Sequence, residues 1–219
     1  MQDKKKFLDC SSPSDVSECA RLVKAGGVVV FPTDTVYGIG CDPYDSRAVA
    51  RVFEIKGRDE RKPLPVLVAD VHVAESLVEL GGAGRRLAAL FWPGALTIVA
   101  PLKDKKISPR VTAGKDSLAV RVPANDCVLA LLRQCRMLVG TSANPSGGGS
   151  CRTARQVAES LSGYDALLAA EKDGTATGGA GVESTIVDIT GGSKPTIARQ
   201  GAVPADAIMA ALSDDQNGG

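Results

Sequence analysis

Four apolar residues in a row, Val28-Val29-Val30-Phe31, stopped by Pro32, constrain this chain more than any other stretch. A largely β-branched run of that length, ended by proline, reads as a buried strand that stops abruptly. Thr33-Asp34-Thr35-Val36-Tyr37-Gly38 then reads as a polar loop at the strand's end, where ligands gather in α/β proteins. A helix begins near Asp45-Ser46, with Val49, Val52 and Phe53 on one face, and delivers Lys56-Gly57-Arg58 at its C-terminal end. Two cations beside a glycine suit an anionic ligand. They are equally the composition of an ordinary helix end, in which glycine caps and basic residues complement the dipole.

The rest of the chain repeats the pattern. Ser12, Pro13 and Asp15 predict the start of a helix that carries Val16, Cys19, Ala20 and Val23 on one face up to Gly26-Gly27. Strands are expected at Leu64 to Ala69, Leu96 to Ala100, Leu118 to Val122 and Met137 to Thr141. Helices are expected from Asp70 to Leu80, Arg85 to Phe91, Asn125 to Gln134 and from Thr153 onward. Ala166 to Ala170 is a short apolar segment, Gly191-Gly192 a turn between Thr185 to Ile189 and Pro195 to Arg199, and Pro204 opens a last helix to Leu212. Alternation of this kind with a late hairpin predicts the α/β class, a twisted mixed β-sheet flanked by helices. The expected organisation is one domain over residues 1–212 and a disordered tail over 213–219.

Twenty-six basic and 25 acidic residues leave a formal net charge of +1, so no global field recruits nucleic acid or a membrane. A polyanion would have to meet a local patch. The six cysteines form no C-x-x-C pair and are expected to be scattered reduced thiols, as in an intracellular protein. No apolar run reaches the length of a signal peptide or a membrane span, which makes a soluble cytoplasmic protein the expectation.

With His72 as the sole histidine, in the first turn of an expected surface helix, a Ser-His-Asp or Cys-His mechanism has no base. The same scarcity argues against a protein-held transition metal. Ser142 lacks the glycine two residues later that a nucleophile elbow needs, and neither G-x-x-x-x-G-K-[ST] nor G-x-G-x-x-G occurs. What remains is a set of cations and hydroxyls near strand ends: Lys56, Arg58, Arg121 and Arg199, with Thr35, Ser142, Asn144, Ser150 and Ser184. Cations stabilise phosphoryl charge, and arginine grips a carboxylate bidentately. Each has a duller reading: Gly147 to Gly149 as a flexible turn, Arg121 as a solvent-facing or paired residue, Glu183 as a capping carboxylate as readily as a general base.

Taken together and in order, the Phe31-to-Gly38 loop, Lys56-Gly57-Arg58, Lys62-Pro63-Leu64, Trp92-Pro93-Gly94 with Leu96-Thr97, Ala119-Val120-Arg121-Val122-Pro123, Ser142-Ala143-Asn144 and Gly181-Val182-Glu183-Ser184-Thr185 resemble the YrdC family of threonylcarbamoyl-AMP synthases. The resemblance runs from about Ser14 to about Gly201 and includes the family's K-x-R and S-x-N motifs. It implies a mixed sheet with helices around a deep basic cavity. It also implies a nucleotidyl transfer in which L-threonine, bicarbonate or carbon dioxide, and ATP with Mg²⁺ give threonylcarbamoyl-AMP and pyrophosphate for tRNA modification. Carried onto matching positions, Lys56 and Arg58 would be catalytic and contact the ATP phosphates. Lys62, Ser117, Ser142, Asn144, Ser150 and Arg199 would lie around the nucleotide, and Thr35, Arg121 and Ser184 would hold threonine. Some members have a histidine near the position of Leu67, which is aliphatic here.

The implied partners are the small-molecule substrates, downstream tRNA threonylcarbamoyl-transfer proteins, and contact with tRNA itself, with no membrane. Longer members append a second domain, whereas a short polar tail follows Leu212, so a single-domain form is expected, with Gly174 to Gly181 as a candidate lid. Two alternatives stay open. One is an RNA-binding module using the same basic cavity, disfavoured by an aromatic content of 4% that leaves few stacking platforms. The other is carbamoylation of a different acceptor.

Overall fold

The computed structural model describes residues 6–169, 181–191 and 195–213. In chain order its elements are β1 (Lys6–Asp9), α1 (Pro13–Lys24), β2 (Val29–Phe31), β3 (Gly38–Gly40), α2 (Ser46–Lys56), β4 (Val66–Val68), α3 (Val71–Leu77), α4 (Gly81–Phe91), β5 (Leu96–Pro101), α5 (Pro109–Thr112), β6 (Ser117–Arg121), α6 (Asp126–Cys135), β7 (Met137–Val139), β8 (Thr141–Ser142), α7 (Ala154–Ser160), β9 (Ala166–Ala169), β10 (Thr185–Asp188), β11 (Thr196–Arg199) and α8 (Ala205–Ser213). Several helix starts are borne out: Ser12 caps α1 through Asp15 N–H, Asp45 caps α2, and Thr153 with Gln156 forms a capping box on α7. The helix expected up to Leu80 instead ends at Leu77, and the one expected from Arg85 begins at Gly81. The expected late hairpin is the antiparallel pair β10 and β11. Among the described residues no helix is long and apolar enough to cross a membrane. Residues 174–180 of the candidate lid, Gly192 of the hairpin turn and residues 214–219 of the expected tail lie outside the described residues.

The mixed sheet is divided in two. One sheet has the order β1-β9-β2-β3-β8, the other β11-β10-β5-β6-β4-β7, and each mixes parallel and antiparallel neighbours. The stretch expected as one strand over Met137 to Thr141 is what joins them. β7 pairs with β4 in the six-stranded sheet, and β8 pairs with β3 in the five-stranded one. Gly140 stands at the crossing, where a Cβ would lie 2.5 Å from Leu67 Cγ. β3 approaches the same crossing closely: a Cβ on Gly40 would lie 1.6 Å from the Val139 carbonyl oxygen. β1, β3, β8 and the short α5 carry too few periodic residues to be read from the sequence.

One face of the six-stranded sheet is core. Val66 and Val68, Leu96, Ile98 and Ala100, Leu118 and Val120, and Val187 are buried there, while the intervening residues of the same strands face the other way. That alternation leaves the second face free to build a site.

The cysteine expectation is corrected. Cys10 and Cys127 form a disulfide, with Cα atoms 5.3 Å apart across 117 positions of sequence. Packing of α1 against α6 brings the two together, a contact that spacing along the chain cannot disclose. Cys19, Cys41, Cys135 and Cys151 are free. The thiols therefore no longer argue for a reducing compartment.

Two measurements follow. Denatured but unreduced protein should expose four titratable thiols, and six after reduction. Gly40→Ala should cost at least about 2 kcal/mol in urea unfolding, because the obstacle is backbone that no rotamer change can clear.

Candidate functional site

α2 is amphipathic, with Val49, Val52 and Phe53 buried, and its last residue, Lys56, is buried with them. Gly57 then adopts the left-handed conformation at φ +58° and closes the helix by donating to Glu54, while Arg58 N–H donates to Phe53 O at 3.0 Å. The reversal puts consecutive cations into one cavity of about 530 Å³ lying between the two sheets. Lys56 Nζ donates to the carbonyls of Ser142 and, at 2.7 Å, Asn144. An ammonium has three N–H donors, so one remains. Burial, with repulsion from Arg58, lowers the Lys56 pKa to about 8. Arg58 Nη2 donates to Pro63 O at 3.0 Å, and burial lowers its pKa too.

The cavity floor is the second face of the six-stranded sheet. Leu67, Thr97, Val99, Ser117, Ala119 and Arg121 lie on it, with Thr97 and Val99 in register with Ile186 and Asp188 of β10. Arg121 is held from three sides: Nε donates to Gly94 O at 2.8 Å, Nη1 to Thr35 Oγ1 at 3.1 Å, and Nη2 to Asp34 Oδ1 at 2.6 Å. A guanidinium has five N–H donors, so among the described residues one is left on each Nη, a pair suited to a carboxylate. The Thr35 hydroxyl is equally committed. Thr33 Oγ1 donates to Val36 O at 2.6 Å, so within the Thr33–Thr35 hydroxyl pair, 3.0 Å apart, Thr35 must donate. Accepting from Arg121, it keeps one lone pair for an N–H or O–H of a ligand.

Arg199 bonds Ser184 O at 2.8 Å and Ser184 Oγ at 3.3 Å and pairs with Glu183; Ser184 Oγ lies 2.8 Å from Thr97 Oγ1. Across the cavity, Asn144 Nδ2 donates to Pro145 O and Gly148 O, each at 2.8 Å, whereas its buried Oδ1 has no partner among the described residues. That orphaned acceptor marks a place for a ligand donor, such as a sugar hydroxyl.

Ten of the eleven residues singled out from the sequence therefore line one cavity: Thr35, Lys56, Arg58, Ser117, Arg121, Ser142, Asn144, Ser150, Ser184 and Arg199. Lys62 is the exception. Its side chain is exposed and off the cavity wall, and its carbonyl accepts from Arg58 Nε at 3.4 Å. Thr33, Thr97, Lys115 and Asp188 line the cavity without having been singled out. Thr97 carried a signal, a hydroxyl inside the apolar run Leu96-Thr97-Ile98, and Lys115, in a turn before β6, carried none. Five cations (Lys56, Arg58, Lys115, Arg121, Arg199) against two carboxylates (Glu183, Asp188) make the lining positive. His72 is exposed on α3 and away from the cavity.

Residues 21–201 match the Sua5/YciO/YrdC family model, whose description reads telomere recombination. The chain belongs to this family. Among Sua5/YciO/YrdC proteins, the threonylcarbamoyl-AMP synthase of Bacillus subtilis is 38% identical over 221 residues, covering 97% of this chain and 62% of that protein. The Pseudomonas aeruginosa threonylcarbamoyl-AMP synthase is 36% identical over 179 residues, 80% of this chain and 94% of that one. A crystal structure of Pyrococcus abyssi Sua5 complexed with L-threonine has a TM-score of 0.85 at 33% identity, covering 94% of this chain and 60% of that chain. This chain thus spans about three fifths of the B. subtilis and P. abyssi proteins.

The site makes a prediction that needs no substrate. Lys56 is charged below about pH 8 and neutral above it, so its share of anion binding is present at low pH and lost as pH rises through that value. Affinity for inorganic tripolyphosphate should fall between pH 7 and 9, and Lys56→Gln should bind more weakly at pH 7 and flatten that fall.

Proposed function

We propose that this chain is an L-threonylcarbamoyladenylate synthase. The observation that carries the reading is the division of one cavity into two differently built anion sites. Arg121 offers a bidentate donor pair with the Thr35 acceptor beside it, and Lys56, Arg58 and Arg199 offer diffuse positive charge. The first suits the carboxylate and amine of an amino acid, the second a polyphosphate. The names of the relatives and the threonine in the P. abyssi structure agree with this assignment.

In this reading the threonine amine adds to carbon dioxide, forming a C–N bond and releasing a proton to solvent. One oxygen of the resulting carbamate attacks the α-phosphorus of ATP, the bond from α-phosphorus to the bridging oxygen breaks, and pyrophosphate leaves with the electron pair. No protein nucleophile is required, which fits a cavity that, among the described residues, has neither histidine nor cysteine in its lining. The work of the chain is to hold two anions side by side and to spread charge over the departing phosphates. Lys56 and Arg58 do this at the phosphates and the forming carbamate. Arg199 joins them once the polyphosphate competes with Glu183 for its guanidinium. Ser117, Ser142, Asn144 and Ser150 orient the nucleotide, Ser184 adds a hydroxyl to the threonine side, and the Leu67 side chain provides an apolar contact where some members have histidine.

Mg²⁺ enters with ATP as part of the substrate and neutralises phosphate charge there. Glu183 and Asp188 are the carboxylates in reach, and among the described residues no cluster of three or more His, Cys, Asp or Glu forms a cage of its own. The product is a mixed anhydride, so a tRNA-threonylcarbamoylating protein must consume it, and a cytoplasmic location belongs to the same proposal.

Pyrophosphate release from ATP and Mg²⁺ should require both L-threonine and bicarbonate, with threonylcarbamoyl-AMP detected by mass. Arg58→Ala should abolish release in a folded protein, and Arg121→Ala should mainly raise the threonine KM. Release without threonine, or wild-type rates in folded Arg58→Ala, would overturn the assignment. Tight, salt-sensitive RNA binding with no release would favour a binding module.

A further inference from the structure

Asp34 lies between two cavity residues, Thr33 and Thr35, yet is not itself on the cavity wall. Its carboxylate pairs with Arg121, with Oδ1 2.6 Å from Nη2, and the Asp34 and Arg121 side chains are 15% and 6% exposed. Gly94 O and Thr35 Oγ1 take one donor each from Nε and Nη1, so Asp34 supplies the only negative charge that Arg121 contacts among the described residues. A buried guanidinium can rotate about its terminal torsions unless its donors are fixed, and these three partners between them engage all three of its nitrogens. The same peptide that carries Asp34 carries Thr35, so holding Arg121 also holds the acceptor next to it.

The geometry points to Asp34 as a positioning residue: it orients Arg121 so that the two N–H groups left over face the α-carboxylate of the amino-acid substrate, and so sets affinity for threonine without touching it. The inference deepens the synthase reading and rests on it. Asp34→Asn keeps the shape and one acceptor oxygen while removing the charge that holds Nη2. Asp34→Glu keeps the charge and displaces it by a methylene.

The decisive experiment is calorimetric binding of L-threonine and of ATP to the wild type, Asp34→Asn, Arg121→Ala and the double variant, alongside steady-state pyrophosphate release and thermal melts. Asp34→Asn should weaken threonine binding about tenfold or more, leave ATP affinity within about twofold, and raise the threonine KM far more than it lowers kcat. In the Arg121→Ala background the same substitution should add almost nothing, because its route to the substrate is gone. L-Threoninol, which lacks the carboxylate, should lose far less affinity than threonine between the wild type and Asp34→Asn. A merely structural role would instead lower threonine and ATP affinity together and would add to Arg121→Ala. If Asp34→Asn does not fold, Asp34→Glu carries the same comparison, with a smaller loss confined to threonine. Equal threonine affinity in wild type and Asp34→Asn overturns the positioning role while leaving the synthase reading intact. A wild type that binds no threonine overturns both.

Discussion

The interaction on which the site depends is a buried ammonium. Lys56 sits at the end of α2, removed from water, and its charge is tolerable because the carbonyls of Ser142 and Asn144 turn toward it. That pair of hydrogen bonds ties a helix following one sheet to the loop that leaves β8, and the Lys56 carbonyl accepts from Ser146 N–H at 2.7 Å in the same place. With those two carbonyls turned to Lys56, the loop lines the cavity with Ser142, Asn144, Ser146, Gly147, Gly148 and Ser150. A leucine or methionine at 56 would leave two carbonyls unpaired in a buried place, a cost of about 1–3 kcal/mol for each.

The second constraint is that like charges share a small volume. Lys56 and Arg58 repel one another, and burial disfavours the charge on both, so each is less readily protonated than it would be in water. The Glu183 carboxylate offsets part of this at both Lys56 and Arg58, and Asp34 does the same at Arg121. The difference between the two pairs is exposure. Glu183 and Arg199 are about two-fifths exposed and can exchange partners with an arriving polyphosphate, whereas Asp34 and Arg121 are nearly shut in, and their pairing holds Arg121 in the floor. One cavity thereby contains a rigid site for a small zwitterion and an adaptable one for a charged chain.

The division between the legible and the hidden follows interaction range. Caps, amphipathic faces and the glycine after Lys56 act within a few residues, so α1, α2, α6 and α7 could be read from their own segments, and so could the cations and hydroxyls of the site. Lys62 differs from its neighbours Arg58 and Pro63 in lying exposed and outside the cavity lining. Lys115 and Asp188 were silent because a charged residue in a turn or at a strand end is ordinary until another strand is laid beside it.

What the sequence determined by itself is the local grammar of helices and strands, the chemistry on offer, and, through seven motifs in fixed order, the family. Only the tertiary structure decided that the mixed sheet splits at Gly140, that Cys10 meets Cys127, and that Asp34 pairs with Arg121. The physical reason is the same in all three cases: these contacts join residues 87 to 117 positions apart, or turn on which of two sheets a two-residue strand joins, and side-chain periodicity carries no information at that range.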